Sequence, residues 1–345
     1  TIFRNKTTPS LVYKGMDAPT LDHRPPNPAQ IATMALRGLV GFPVLVELDL
    51  ANGLPAFNMV GLPDGAVKES RERVFAALRN SGFAFPQRKV TVNLAPAQER
   101  KEGTHFDLPI AVAFLAATGQ TPPGDWARRT AFIGELALDG SLRPVRGMLA
   151  MAARARAQGW GRLIVPAANA AEARASGCAT EAAASLREVL LILARPPAGQ
   201  ESPIFSIALN SVPSPVAVGS VLDLSDVKGQ ALAKRALEVA VAGGHNILMV
   251  GPPGAGKSML ARRLPSLLPS LSREASLEVT QVHALLGGAG GTLMKEAPFR
   301  APHHSATSVS LVGGGPASRP GEVSLAHGGI LFLDELGLFA RHALE

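Results

Sequence analysis

The chain has 345 residues, 46% hydrophobic and 18% charged, which is enough apolar content for two separate cores and excludes an intrinsically disordered chain. Lys and Arg exceed Asp and Glu by 34 to 27, a formal charge of +7 that fits polyanionic partners and equally fits a mildly basic enzyme surface. Cys178 has no second cysteine to pair with, so an internal disulfide and a cysteine-based metal site are excluded; no apolar run is long enough for a bilayer, and a cytoplasmic setting is expected.

Residues 1–30 carry Arg24-Pro25-Pro26-Asn27-Pro28 and few large apolar side chains, so they read as a flexible tail without a signal-peptide core. An α+β domain is expected over residues 31–194. Val44, Val46, Leu48 and Leu50 alternate with Leu45, Glu47 and Asp49, the period of a half-buried strand. Asn52-Gly53 then predicts a tight hairpin turn into a return strand over residues 57–60. Asp64 can cap a helix with Val67, Val74, Phe75 and Leu78 on one face. Val90, Val92 and Leu94 alternate as another strand. Asp107 can cap a helix over residues 108–117, which is apolar all round and therefore buried. Further strands are expected over residues 132–138 and 163–165, with an Ala/Arg-rich helix over residues 149–158 between them.

Residues 195–220 are rich in Pro, Ser and Gly and read as a linker. A second unit is expected over residues 221–345. A helix over residues 230–241 stops at Gly243-Gly244, and a helix near residues 272–286 has Ser272 as its N-cap. A glycine-rich tract, residues 287–291, follows it.

Between those helices lies Gly251-Pro252-Pro253-Gly254-Ala255-Gly256-Lys257-Ser258, the phosphate-binding P-loop pattern. It sits between an apolar run, Ile247 to Val250 in sequence, that reads as a buried strand, and a helix starting at Met259. Glycines let backbone N–H groups turn toward a phosphate at a helix N-terminus, where the dipole favours an anion. Lys257 would reach the terminal phosphates of ATP, and the Ser258 hydroxyl would hold Mg²⁺. Downstream, Ile330, Leu331, Phe332 and Leu333 form an apolar strand ending in Asp334-Glu335. This is a Walker B pattern, with Asp334 at the Mg²⁺ and Glu335 polarising the attacking water. The P-loop strand and this acidic strand are expected as neighbours in a parallel sheet, with the nucleotide at their carboxyl ends. The long separation from Lys257 to Asp334 requires an insertion.

Taken together, these segments resemble the Mg-chelatase-like AAA+ ATPases of the ComM (YifB) type, from about Met34 to the end of the chain. The segments carrying the resemblance include Val60-Gly61-Leu62-Pro63, Asn93-Leu94-Ala95-Pro96-Ala97, Lys101-Glu102-Gly103, Phe106-Asp107-Leu108-Pro109, Asp226-Val227-Lys228-Gly229-Gln230, Phe299-Arg300-Ala301-Pro302-His303-His304 and Pro320-Gly321-Glu322-Val323. The resemblance implies a Lon-protease-like N-terminal domain followed by an α/β P-loop AAA+ core. It implies ATP hydrolysis with Mg²⁺ in a ring, usually a hexamer, and DNA branch migration during natural transformation. It places Gln230 and Met259 beside the nucleotide. The stretch before the acidic strand is similar to an insert whose hairpin points into the ring pore, which makes Arg300, His303, His304 and Arg319 DNA-contact candidates. His303-His304 also admits a metal site with His327, or a hydrogen-bonded turn.

In the same resemblance the Lon nucleophile falls at His105 and its lysine partner near Leu149, so the protease dyad is absent. That leaves the N-terminal domain to bind DNA or a partner, or to act as an inert oligomerisation scaffold. A complete AAA+ module continues past Walker B through sensor 1, an arginine finger and a helical lid. Weak nucleotide binding and poor hydrolysis are therefore expected of this chain alone. A DNA motor leads; a Mg-chelatase motor subunit and a nucleotide-gated protein-remodelling scaffold are the alternatives.

Overall fold

The computed structural model describes residues 2–4, 29–85, 88–195, 222–286, 292–314 and 319–344. They fall into two compact units: residues 29–85 and 88–195 with 292, and residues 2–4, 222–286, 293–314 and 319–344. Most of the expected tail, nearly all of the expected linker and the glycine tract at 287–291 lie outside the described residues. Strand β1 (Ile2–Arg4) falls within the expected tail and belongs to the second unit.

The first unit is a seven-stranded mixed sheet with helices on its faces. Its elements are β2 (Ala29–Arg37), β3 (Val40–Ala51), β4 (Ala56–Val60), α1 (Gly65–Lys68), α2 (Ser70–Asn80), β5 (Lys89–Ala95), α3 (Asp107–Ala117), β6 (Thr130–Phe132), β7 (Glu135–Leu136), β8 (Leu142–Arg143), α4 (Met148–Ala157), β9 (Arg162–Pro166), α5 (Ala170–Ala175), β10 (Thr180–Ala183) and α6 (Leu186–Ala194). The strand order is β10-β9-β6-β2-β3-β5-β4, with β7 and β8 forming a separate ribbon. Successive residues of a strand face opposite sides. Thus Ile31, Val44, Val46, Val90, Val92, Phe132 and Ile164 pack with α2, α3 and α6. Ala32, Met34, Ala131, Leu163 and Val165 pack with α4 and α5.

Three local expectations change here. The predicted hairpin at Asn52-Gly53 does not form. The hairpin is instead β2–β3, turning at Gly38 (φ 59°) and Leu39, with Arg37 opposite Val40. Strand β5 pairs antiparallel with β3 and parallel with β4, so it separates them. The physical reason is burial: β5 places Val90, Val92 and Leu94 in the core, whereas β4 makes the half-exposed edge. The strand predicted over residues 132–138 breaks after β6. The Gly134 amide donates to the His105 carbonyl, and its own carbonyl accepts from Leu108, so the backbone there serves the start of α3. Asp107 is not a cap; its carboxylate accepts from Arg73 and from the Leu136 amide.

The second unit comprises β1, α7 (Ala231–Gly243), α8 (Lys257–Ala261), α9 (Arg273–Ala284), β11 (Phe299–Arg300), α10 (Ser308–Val312), β12 (Gly313–Gly314), β13 (Arg319–Pro320), α11 (Glu322–Leu325), β14 (Ile330–Phe332) and α12 (Arg341–Leu344). Helix α7 ends where Gly244 adopts φ 64°, and Ser272 Oγ accepts the Ala275 amide at 3.2 Å to cap α9. Strand β14 is buried on both faces. Ile330 and Phe332 join a core with Leu237, Val241, Leu260 and Leu264, while Leu331 and Leu333 pack with Leu311, Ala326 and Phe339.

The expected strand before the P-loop does not form among the described residues, where Ile247 makes only a single bridge. Strand β14 pairs parallel with β11 and antiparallel with β1, so its edges are taken by those two. Ile247 and Met249 still pack on the core, whereas Leu248 and Val250 are 65% and 87% exposed. Alternating burial persists, but a single bridge at Ile247 is not an extended ladder.

Candidate active site

The P-loop motif reaches Gly256 (φ 84°), which precedes the first turn of α8. Gly254 also takes a positive φ, 78°, with open space where a Cβ would project. Both angles favour glycine and turn the loop backbone back on itself. Lys257 Nζ donates to the carbonyls of Gly251 at 2.8 Å and Pro252 at 3.0 Å, so the ammonium folds over its own loop. Pro252 and Pro253 are exposed, while Ala255, Lys257 and Ser258 are half-buried.

Helix α8 and the end of β14 bring together the two residues expected at a metal. Ser258 Oγ donates to Asp334 Oδ2 at 2.6 Å, although 76 residues separate them. A hydroxyl and a carboxylate oxygen are hard donors that suit Mg²⁺. Glu335 follows with a left-handed backbone, φ 53°, and its amide donates to Asp334 Oδ1 at 3.1 Å. A non-glycine residue held there costs about 1–3 kcal/mol, and such strain concentrates at functional sites. Gln230 is also left-handed, φ 57°, and its Nε2 donates to the Ala255 carbonyl at 3.2 Å, which fixes it against the loop. Met259 is exposed beside Gly256; a Cβ added to Gly256 would meet its Cε at 3.2 Å.

The remaining predicted site residues are dispersed along one segment. Arg300 makes two bonds to Glu322, Nε at 2.6 Å and Nη2 at 2.7 Å, and that carboxylate raises the guanidinium above its ordinary pKa. His304 Nδ1 lies 3.5 Å from Glu335 Oε2, and His303 Nδ1 lies 2.8 Å from the Ser305 hydroxyl. Arg319 is exposed on the two-stranded ribbon β12–β13. His327 Nε2 is 3.1 Å from Glu278, and no cluster of three metal-ligating His, Cys, Asp or Glu side chains occurs among the described residues. The histidines therefore form turns and carboxylate contacts. Sequence reading missed the Arg300–Glu322 and His304–Glu335 pairs. It also missed Arg263, whose Nε donates to the Asp223 carbonyl at 3.0 Å and ties the segment after α8 to the turn before α7. No sequence spacing signals those contacts.

In the first unit, His105 and Leu149 are both buried. Burial pushes the His105 imidazole down to about 4 and also lowers Lys101, whose ammonium is tied to the Pro96 carbonyl. Neither predicted dyad position presents an accessible nucleophile.

Two family models match the chain. One, described as magnesium chelatase, subunit ChlI, covers residues 223–345; the other, described as subunit ChlI of Mg-chelatase, covers residues 46–169. The chain is 45% identical to the uncharacterized protein YifB of Salmonella typhimurium over 323 residues, 92% of this chain and 61% of that one. It is 44% identical to the competence protein ComM of Haemophilus influenzae over 305 residues, 88% of this chain and 59% of that one. The chain belongs to the Mg-chelatase-like ComM/YifB family. An uncharacterized protein of Mycobacterium tuberculosis is 44% identical over 317 residues, with 91% and 61% covered. The chain thus spans about 61% of the length of the first curated relatives it matches. The match over residues 223–345 fits a P-loop AAA+ core. Among the described residues no helix is long and apolar enough to cross a membrane.

Proposed function

We propose that this chain carries the nucleotide-binding part of an ATP-hydrolysing ring motor that moves along DNA, hexameric when whole, and serves branch migration in transformation or recombination. The observation that carries the reading is the Ser258–Asp334 bond, which joins the P-loop helix to the acidic strand. In this reading Lys257 exchanges the Gly251 and Pro252 carbonyls for the terminal phosphate oxygens. The loop amides hold the bound phosphates, and Gln230 and Met259 lie beside the nucleotide. Ser258 and Asp334 hold Mg²⁺, which when bound neutralises charge on the β- and γ-phosphate oxygens. Glu335 takes a proton from the attacking water as the bond from the γ-phosphorus to the leaving oxygen breaks, giving ADP and phosphate.

Exposed Arg319, opposite Gly314 in the β12–β13 ribbon, is the cation read here as tracking a phosphate backbone. Arg300 and His304 face carboxylates of the same chain. The competence name of one relative supports a role in natural transformation. The first unit is read as a Lon-like domain without a protease dyad, given buried His105 and Leu149. The magnesium-chelatase description of both matching models favours a second reading, a motor that drives metal insertion or protein remodelling.

ATP turnover by the full-length protein, with and without single-stranded and forked DNA, separates these readings, with Lys257→Ala as the blank. DNA stimulation that disappears in the blank supports the DNA motor. Turnover indifferent to DNA moves the assignment to the chelatase-like reading, and equal turnover in the blank overturns the site.

A further inference from the structure

The turn before α7 is fastened to the P-loop and its helix at two places. At one end Gln230 Nε2 donates to the Ala255 carbonyl at 3.2 Å. At the other, Arg263 reaches back from just beyond α8. Its Nε donates to the Asp223 carbonyl at 3.0 Å, its Nη1 donates to the Met259 carbonyl at 3.1 Å, and its Nη2 lies 3.9 Å from Asp226 Oδ2. A helix leaves its last carbonyls without intrahelical partners. Helix α8 ends at Ala261 and the Arg263 amide bonds to the Leu260 carbonyl, so the guanidinium serves the Met259 carbonyl in its place. One side chain, 14% exposed, therefore closes the end of the P-loop helix and holds the turn against it.

The turn itself is preformed. Asp223 Oδ1 accepts the Ser225 amide at 2.7 Å, and Asp226 Oδ2 accepts the Asp223 amide at 3.2 Å. Leu224 and Val227 are buried in the core with Leu260 and Leu264, and Lys234 Nζ donates to the Val227 carbonyl. Gly229 and Gln230 are both left-handed, φ 70° and 57°, so the chain bends where it enters α7. Residues 228–230 are exposed. A nucleotide whose last phosphate meets Lys257 and whose Mg²⁺ meets Ser258 and Asp334 directs its nucleoside away from Asp334. The turn is the segment joined to the loop at Ala255.

We propose that Arg263 is a positioning residue for the nucleoside end of the nucleotide, holding the turn over residues 223–230 against the P-loop so that base and ribose meet a preformed surface. This rests on the reading of the P-loop as a nucleotide site. The Arg263 side chain bonds to the backbone of Asp223 and Met259, and not to the loop or the Asp334-Glu335 pair. Its removal therefore loosens the turn and leaves the phosphate contacts and the chemical step in place. A surface ordered before binding gives higher affinity because less freedom is lost on binding.

The test uses the full-length protein with Arg263→Ala and Arg263→Lys. In Arg263→Ala the KM for ATP rises about tenfold, the scale of one hydrogen bond from a charged group. Over the same comparison kcat stays within about twofold, the pattern of binding lost equally from ground and transition states. Inorganic tripolyphosphate, which has no nucleoside, competes with ATP as well as it does in the wild type. Arg263→Lys has one ammonium for two carbonyls, so its KM falls between wild type and Ala; it carries the same readouts if the Ala variant does not fold. Without nucleotide, hydrogen–deuterium exchange quickens in the peptide over residues 222–231 and is unchanged over residues 251–258.

The proposal is overturned by a KM within about twofold of wild type in Arg263→Ala, by kcat falling in step with the rise in KM, by tripolyphosphate weakening as much as ATP, or by unchanged exchange over residues 222–231. Failure of the underlying reading looks different. Lys257→Ala would then keep the wild-type KM, and tripolyphosphate would not compete with ATP in any of these proteins.

Discussion

Replacing Arg73 with methionine strips a buried carboxylate of its cation while keeping much of the stem volume. Asp107 has 0% side-chain exposure, and its oxygens accept from Arg73 Nε at 2.7 Å, Arg73 Nη2 at 3.0 Å and the Leu136 amide at 3.2 Å. Arg73 Nη2 also donates to the Ala66 carbonyl at 2.9 Å, so one guanidinium joins α1, α2, α3 and, through Asp107, β7. In the variant Asp107 keeps only the amide donor. Breaking one side of a buried pair costs about 3–5 kcal/mol. For a unit of this size that corresponds to a melting shift of roughly 6–20 °C.

The pH dependence has a definite sign. Burial, opposed by Arg73, raises the Asp107 carboxyl to about 6, above its unfolded value. A carboxyl raised in the fold stabilises fully below the unfolded pKa, and that contribution is lost as pH climbs through the folded value. Removing Arg73 moves the folded value higher still, so the variant's deficit widens from pH 5 to pH 8. Glu69 and Glu135 also lose a neighbouring cation, and Glu135 keeps Arg143 at 3.8 Å and the Thr104 hydroxyl. Calorimetric melting of the full-length protein and its variant across that range measures the effect. A deficit below about 1 kcal/mol, the scale of an exposed pair, or one equal at both ends of the range would refute the reasoning.

Asp334→Asn should lower Mg-ATP affinity by at least about tenfold; chelation of Mg²⁺ should then weaken binding in the wild type and leave the variant unchanged, as read by equilibrium fluorescence titration. Arg319→Ala should weaken DNA binding uniformly across sequences and reduce the salt slope by about 0.7–0.9 for a lost phosphate contact, measured by anisotropy at several salt concentrations. Arg300→Ala should behave differently, destabilising the second unit by about 1–2 kcal/mol through the lost Glu322 bonds, with the salt slope unchanged.

Much of the site was legible because its chemistry is local. The glycines at 254 and 256, Lys257 and Ser258 are adjacent in the chain, and the loop-to-helix turn follows from their backbone preferences. The same holds for Ser272 capping α9 and for Gly244 ending α7. Asp334 was legible as the end of an apolar run, since β14 is buried on both faces. Partnership was less legible. The alternation in β3 and β5 identified strands, but nothing within either says that β5 lies between β3 and β4. Asp107 sits where a cap would sit, and its partner is Arg73 on another helix. His303 and His304 read first as a hydrogen-bonded turn, then as a pore contact and last as a metal site, and only the register of β11 on β14 brings His304 to Glu335.

Periodicity, caps and the loop motif are set by residues a few positions apart, where chain connectivity itself holds the interacting groups together. They specify which segments are helices or strands and where a phosphate would sit. The neighbour of each strand and the partner of each buried charge are set by groups tens of residues apart. These compete for one core, and the winner is the arrangement that buries the apolar faces while pairing the polar groups left inside.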